Sequence, residues 1–307
     1  MTYNDSLCRA SKAKNDEFFT RYEDIEKELR YYTDHFKDKI IYCNCDRLSS
    51  AFYLYFADNF KRLQLKGLIF SYYSIDGSSY VTEQDKQGVK VHKLEGNGDF
   101  RSAECLALLK RADIVVTNPP FSLLREFIPL MVSNKKDFLI IGNYLALTYI
   151  EIWPLFLNGA IQLGATFPKR FYEPDGSVKE ICSCSWFTTL SHNAERQKLK
   201  LIESTATPKF YDNFNAVNVD SIRAIPSNYS GLMGVPLGVL KTDYGRYFEL
   251  VGLLKEAVNS PEKGIYNGAP TLTFTRKGKA RKRTNPAVEG RAKFSRVLIK
   301  RKAELEE

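Results

Sequence analysis

Along the first 190 residues the hydrophobic and polar positions keep changing period, and each change marks an element. Residues 39–46, "KIIYCNCD", form an apolar run that ends in polar groups and predict a buried strand. Residues 49–63, "SSAFYLYFADNFKRL", come next with a Ser cap signal and an apolar stripe at helical spacing. The alternation continues with strands predicted at 65–74, 113–118, 137–143 and 160–167, and helices at 102–112, 122–134 and 146–159. Residues 89–96, "VKVHKLEG", are a weaker strand-like segment. In the 122–134 helix, Leu123, Leu124, Phe127, Ile128 and Met131 share one face, and Pro129 should kink the helix or weaken its third turn.

This alternation predicts an α/β fold with a doubly wound, mostly parallel sheet. After the turn signal "PDGS", residues 180–190 should pair with 160–167 as an antiparallel edge. From about residue 191 the texture changes to Pro, Asn, Gly and Tyr with short strand signals, as at 231–240 and 295–301. The expected division is a catalytic domain at 1–190 and a smaller C-terminal lobe at 191–307. No internal repeat is apparent.

Composition narrows the class. The 307 residues are 44% hydrophobic, sufficient for a real core. No apolar run of about eighteen residues occurs, and the N-terminal stretch lacks a signal-peptide pattern, so the expectation is a cytoplasmic protein without membrane attachment. Cysteines at 8, 43, 45, 105, 182 and 184 are too sparse for a disulfide framework and should be reduced thiols. The C-x-C pairs at 43/45 and 182/184 have a shorter spacer than zinc thiolate sites use, so no metal is expected.

Charge adds a partner. There are 45 Lys and Arg against 36 Asp and Glu, a net +9, which favours a polyanion, with nucleic acid ahead of an acidic membrane. The densest run is "RKGKARKR" at 276–283. Arg276, Lys277, Lys279, Arg281, Lys282 and Arg283 are its candidate phosphate contacts. Without apolar periodicity the run predicts a loop, and a merely solvated loop is the plain alternative.

A doubly wound sheet binds its ligand outside the carboxyl ends of its strands. Three polar residues fall there: Asp46 after the first strand, Asp99 in "GNGDF" (96–100), and Asn118. A carboxylate at such an end can accept from a ligand, although an isolated one usually just caps a helix. At 113–121, "DIVVTNPPF", a buried strand stops at Asn118 because Pro119 and Pro120 fix φ and cannot donate. The result is a stiff turn presenting an amide, bare carbonyls and the ring of Phe121.

That turn resembles the catalytic motif of amino-group DNA methyltransferases, and its surroundings resemble the EcoRI-type adenine-specific branch. The similar blocks are 14–20, "KNDEFFT"; 41–46, "IYCNCD"; 96–128, around "NPPF"; 184–190, "CSWFTTL"; 213–236; and 294–301, "FSRVLIKR". The resemblance implies a class I methyltransferase-like fold and S-adenosylmethionine-dependent methylation of the N6 amine of an adenine flipped out of double-stranded DNA. It assigns amine acceptance to Asn118 and the Pro119 carbonyl, rigidity to Pro120, and base stacking to Phe121. For the cofactor it implies Phe19 and Thr20 at the methionine end, Cys43 and Asp46 in the first-strand loop, Asp99 and Phe100 at the adenine, and Asn118 bordering both ligands. The chain departs from common methyltransferases in having no glycine in "CNCDRLSS", and Asp76 is a ribose candidate that also reads as a turn residue. The order of motifs is that called gamma, with a target-recognition lobe last. A monomer is expected, with any cognate restriction endonuclease acting separately. RNA adenine or protein glutamine methylation, and a catalytically idle DNA-binding module, are the rival readings.

Overall fold

The computed structural model describes residues 18–44, 49–74, 76–173, 175–255, 273–276, 279–282 and 286–303, with the backbone alone at 273–276 and 279–282. The chain divides into two compact units, Met1–Ala194 and Glu195–Glu307.

The first unit is built on an eight-stranded sheet. Its strands are β2 (Ile40–Asn44), β3 (Gly67–Tyr72), β4 (Tyr80–Asp85), β5 (Gly88–Lys93), β6 (Ile114–Thr117), β7 (Asp137–Asn143), β8 (Gln162–Leu163) and β11 (Cys184–Thr188), in the order β5-β4-β3-β2-β6-β7-β11-β8. The central strands β3, β2, β6 and β7 are parallel, as their continuous apolar runs require. Ile114, Val115 and Val116 are at most 2% exposed, so both faces of β6 are covered.

Helices α2 (Ala51–Asp58), α3 (Ala103–Arg111) and α4 (Leu124–Ser133) connect these strands. The Ser signals are genuine caps: Ser50 Oγ accepts from Tyr53 N, and Ser102 Oγ from Cys105 N. Each contributes about 1 kcal/mol. Helix α4 runs unbroken across Pro129, held by the buried side chains of Phe127, Ile128 and Met131. The core beneath the sheet is strongly aromatic, with Phe36, Phe52, Tyr55, Phe56 and Trp186 fully buried.

Three expectations need correction. The expected antiparallel pairing of 180–190 with 160–167 is present as β11 with β8, but β11 also pairs with β7 and so lies inside the sheet, leaving the two-residue β8 as the edge. At the opposite margin a hairpin of β4 and β5 adds two antiparallel strands, of which the sequence pattern marks only the second, and weakly. The helix expected at 146–159 is a 3-10 turn at Tyr144–Thr148 and a short helix α5 (Trp153–Leu157). Tyr149 is extended between them, and Pro154 suits a new helix start better than the middle of a long helix.

Beside the large sheet, a three-stranded sheet joins β1 (Phe19–Thr20), β9 (Arg170–Tyr172) and β10 (Val178–Glu180). Helix α1 (Tyr22–Leu29) comes directly after β1.

The second unit holds a five-stranded sheet, β12 (Phe210–Tyr211), β13 (Phe214–Asn218), β14 (Met233–Pro236), β20 (Arg296–Arg301) and β15 (Phe248–Leu253), in that order. Tyr211, Phe214, Ala216, Leu254, Val288 and Leu298 form its core, beside a two-residue ribbon of β18 (Ala287–Val288) and β19 (Arg291–Ala292). The basic run is a further antiparallel ribbon, β16 (Thr273–Arg276) with β17 (Lys279–Lys282), rather than the expected loop. Absence of helical period marks a strand pair as well as a loop. Lys277 and Arg283 lie outside the described residues.

Candidate active site

Strand β6 delivers Asn118 to the carboxyl edge of the parallel sheet. Thr117 Oγ1 donates to the Asn44 carbonyl, tying the ends of β6 and β2 together. The chain then turns through Pro119, which is buried, and Pro120, whose φ of −53° and ψ of 126° lead into the 3-10 turn Phe121–Leu123 and α4.

The Asn118 amide has a defined orientation. Its Nδ2 donates to the backbone carbonyl of Phe18 at 2.5 Å, while Oδ1 is buried with no hydrogen-bond partner. Only an NH2 group can face a carbonyl favourably, so Oδ1 is left to point elsewhere. A buried acceptor without a partner costs about 1–3 kcal/mol. Such a group is open to a hydrogen bond from a ligand or a bound water.

Two more buried oxygens on neighbouring chain ends lack partners: Thr20 Oγ1 on β1 and Asn44 Oδ1 at the end of β2. Sequence reasoning missed Asn44, although the criterion that selects Asp46, a polar residue closing a strand, applies equally two positions earlier. Asp46 itself lies outside the described residues. Cys43 is fully buried in the core, so its thiol faces the packed interior.

Phe18 is brought to the turn by the small sheet. Strand β1 pairs with β9 through Phe19↔Tyr172 and Thr20↔Phe171. The Phe18 ring lies 6.1 Å from Phe121 and 6.4 Å from Phe171, with Lys179 Nζ 4.8 Å from its centroid. Phe121 is half-buried against this cluster, and Phe19 is 40% exposed.

A buried carboxylate supports the arrangement from behind. Glu28 accepts from Ala165 N, Thr166 N, Thr166 Oγ1 and Tyr32 Oη at 2.6–2.9 Å, anchoring the segment that leads into β9. Burial pushes its carboxyl pKa upward even against these donors. Gly164 is required there, since a Cβ would collide with Glu28 Oε1.

The loop before α3 packs on the end of β3. Gly98 has φ +77°, and a Cβ on it would collide with the Tyr72 carbonyl. Asp99 is next, buried and clasped by Arg101, whose guanidinium also reaches Glu126. The Phe100 ring is 2% exposed and packs 5.0 Å from Phe127. Asp76 is a turn residue: it accepts from Ser74 Oγ and Ser78 N, and these bonds lower its pKa to about 2.

The structure thus brings Phe19, Thr20, Asn118, Pro119, Pro120 and Phe121 together through Phe18, and sets Asp99 and Phe100 in the adjoining loop. Among the described residues no group of three or more His, Cys, Asp or Glu could hold a metal ion. No helix among them is long and apolar enough to cross a membrane.

Comparison with known proteins shows the family. Residues 6–302 match the family described as adenine-specific methyltransferase EcoRI. The chain is 37% identical to the type II methyltransferase M.EcoRI of Escherichia coli, over 90% of this chain and 97% of that protein. It is 36% identical to M.MgeORF184P of Mycoplasma genitalium and 34% identical to M.MpnI of Mycoplasma pneumoniae, both type II methyltransferases. Those alignments cover 95% and 96% of this chain, and 98% and 97% of the relatives. No solved structure matches the chain.

Proposed function

The chain belongs to the EcoRI family of adenine-specific methyltransferases and is a DNA adenine methyltransferase, and we propose that its reaction is the transfer of a methyl group from S-adenosylmethionine to the N6 amine of an adenine turned out of the duplex, organised by Asn118. The observation that carries this reading is the orientation of the Asn118 amide, with Nδ2 engaged by Phe18 and a buried, partnerless Oδ1.

An exocyclic adenine amine is a poor nucleophile because its lone pair is delocalised into the ring. Oδ1 of Asn118 and the carbonyl of Pro119 each accept one N6 hydrogen, which draws the nitrogen towards tetrahedral geometry and frees the lone pair. Pro119 and Pro120 hold that carbonyl rigid. Phe121, half-buried against Phe18, offers a ring face to the extruded base.

The residues present fit the cofactor. Thr20 Oγ1 and Asn44 Oδ1 are unused acceptors suited to the ammonium of its methionine end, and Asp99 retains acceptor capacity for its adenine amine. When bound, the sulfonium supplies an electrophilic methyl group. Phe19, Phe100, Cys43 and Asp46 complete the proposed surroundings.

We read the first 190 residues as a doubly wound catalytic domain and 191–307 as the target-recognition lobe, its basic ribbon tracking phosphates through Arg276, Lys277, Lys279, Arg281, Lys282 and Arg283. The protein acts on DNA as a cytoplasmic monomer, with any cognate endonuclease working separately. Incubation with labelled S-adenosylmethionine and duplex DNA, then nucleoside analysis, tests the reaction: N6-methyladenine is expected. Asn118→Ala should lower turnover at least about a hundredfold with cofactor and DNA binding retained. Label in cytosine, or in RNA alone, would overturn the reading.

A further inference from the structure

We infer that the backbone carbonyl of Phe18 is the positioning group that aims Asn118 Oδ1 at the target amine, so that position 118 of this chain requires a carboxamide and rejects a carboxylate. The inference rests on the reading of Asn118 as the amine acceptor.

On acceptor strength alone an aspartate would serve better, because a charged oxygen makes the stronger hydrogen bond. The bond to Phe18 reverses that preference. Nδ2 of Asn118 is the donor in that bond, and an ionised carboxylate carries no hydrogen to replace it. Two bare oxygens would then face each other where Nδ2 and the carbonyl now lie, in a largely buried site where repulsion is poorly screened.

The carbonyl has little freedom to retreat. Phe18 is 8% exposed, with its ring set between Phe121 and Phe171, and the next two residues are paired to β9. Strand β9 comes directly after the segment fastened by Glu28. The same short segment carries Phe19 and the unpartnered Thr20 hydroxyl, so the residues proposed to meet the cofactor flank the group that aims the acceptor.

A protonated aspartic acid differs from an ionised one at this point. Its O–H can donate to the Phe18 carbonyl while its C=O takes the place of Oδ1, reproducing the amide's pattern. Asn118→Asp should therefore be rescued by acid.

The test uses the full-length Asn118→Asp variant with carbon-13-labelled aspartate. The new carboxyl, identified by difference from the parent, should titrate at least about one unit above the ordinary aspartate value near 3.9, since the neutral form gains the bond to Phe18. Turnover on duplex DNA at saturating cofactor should be at least about a hundredfold below the parent near pH 8. The variant-to-parent ratio should then rise about tenfold or more towards pH 6 as the new acid protonates.

An ordinary or lowered carboxyl pKa, a ratio that does not change with pH, or parent-like turnover near pH 8 would overturn the inference. Should the variant not fold, the parent decides: selective nitrogen-15 labelling of asparagine should reveal one side-chain NH2 with slowed hydrogen exchange, absent in Asn118→Ser. Free exchange at every asparagine side chain would count against it. A parent that methylates no DNA adenine would instead remove the proposed function, while the titration and exchange would still report whether Phe18 holds the amide.

Discussion

Arg101 closes on Asp99 at three points. Its backbone N and Nε donate to Oδ1 at 2.9 and 3.0 Å, and Nη2 donates to Oδ2 at 2.8 Å. A carboxylate has about four acceptor positions, so one remains, on Oδ2. The residue proposed to meet the cofactor's adenine is therefore already oriented and charge-compensated by its own loop.

Asp99→Ala should have two effects because of this pairing. Affinity for S-adenosylmethionine should fall by about 1.5–3 kcal/mol, the range for bonds to charged groups. Stability should also fall by about 3 kcal/mol, because the nearly buried guanidinium loses the carboxylate that clasps it. Calorimetry and denaturant melts separate the two. Unchanged affinity in a folded variant would remove Asp99 from the cofactor site.

Phe121→Ala should act on the extruded base. Losing a stacking ring costs about 1–3 kcal/mol per base, and 2-aminopurine at the target position reports the loss as a smaller fluorescence rise. Because the ring also packs on Phe18, a modest loss of stability should accompany it. A variant that flips and methylates like the parent would make Phe121 a packing residue only.

In the basic ribbon, replacing Arg276, Lys279 and Arg281 with Gln should weaken all duplex sequences alike. The slope of log affinity against log salt should flatten by about 0.9 for each phosphate no longer neutralised. Weakening confined to one DNA sequence would assign the ribbon to base reading instead.

Acid should loosen the second unit through Asp220, which accepts from Lys293 and Arg296. The Lys293 hydrogen bond holds the carboxyl below its ordinary pKa. A depressed folded-state pKa gives stability that is present above the unfolded value near 4 and is lost as pH falls through the folded value. Asp220 is well exposed, so the contribution should stay below about 1 kcal/mol. Asp220→Asn should lower stability near neutrality and flatten the acid limb of melting against pH; an unchanged limb would show the bridge contributes nothing.

The sequence by itself determined what depends on neighbours along the chain. The buried run at 114–117, the stop at Asn118, the stiff Pro119–Pro120 turn and the caps at Ser50 and Ser102 arise from local sterics and local hydrogen bonding, and each is read within a few residues. The order of blocks likewise placed the chain in its family. Only the tertiary structure decided which way the Asn118 amide points, because its partner lies 100 residues away and a backbone carbonyl leaves no mark in side-chain pattern. The same reason governs β11, whose place between β7 and β8 depends on pairing rather than on its own apolar run. It governs Asp99 as well: a carboxylate at a loop end reads as a free acceptor until folding wraps Arg101 around it and brings up Glu126 from another helix. Hydrophobic periodicity encodes which face is buried; it does not encode which distant polar group meets which, and that pairing is what orients the Asn118 amide.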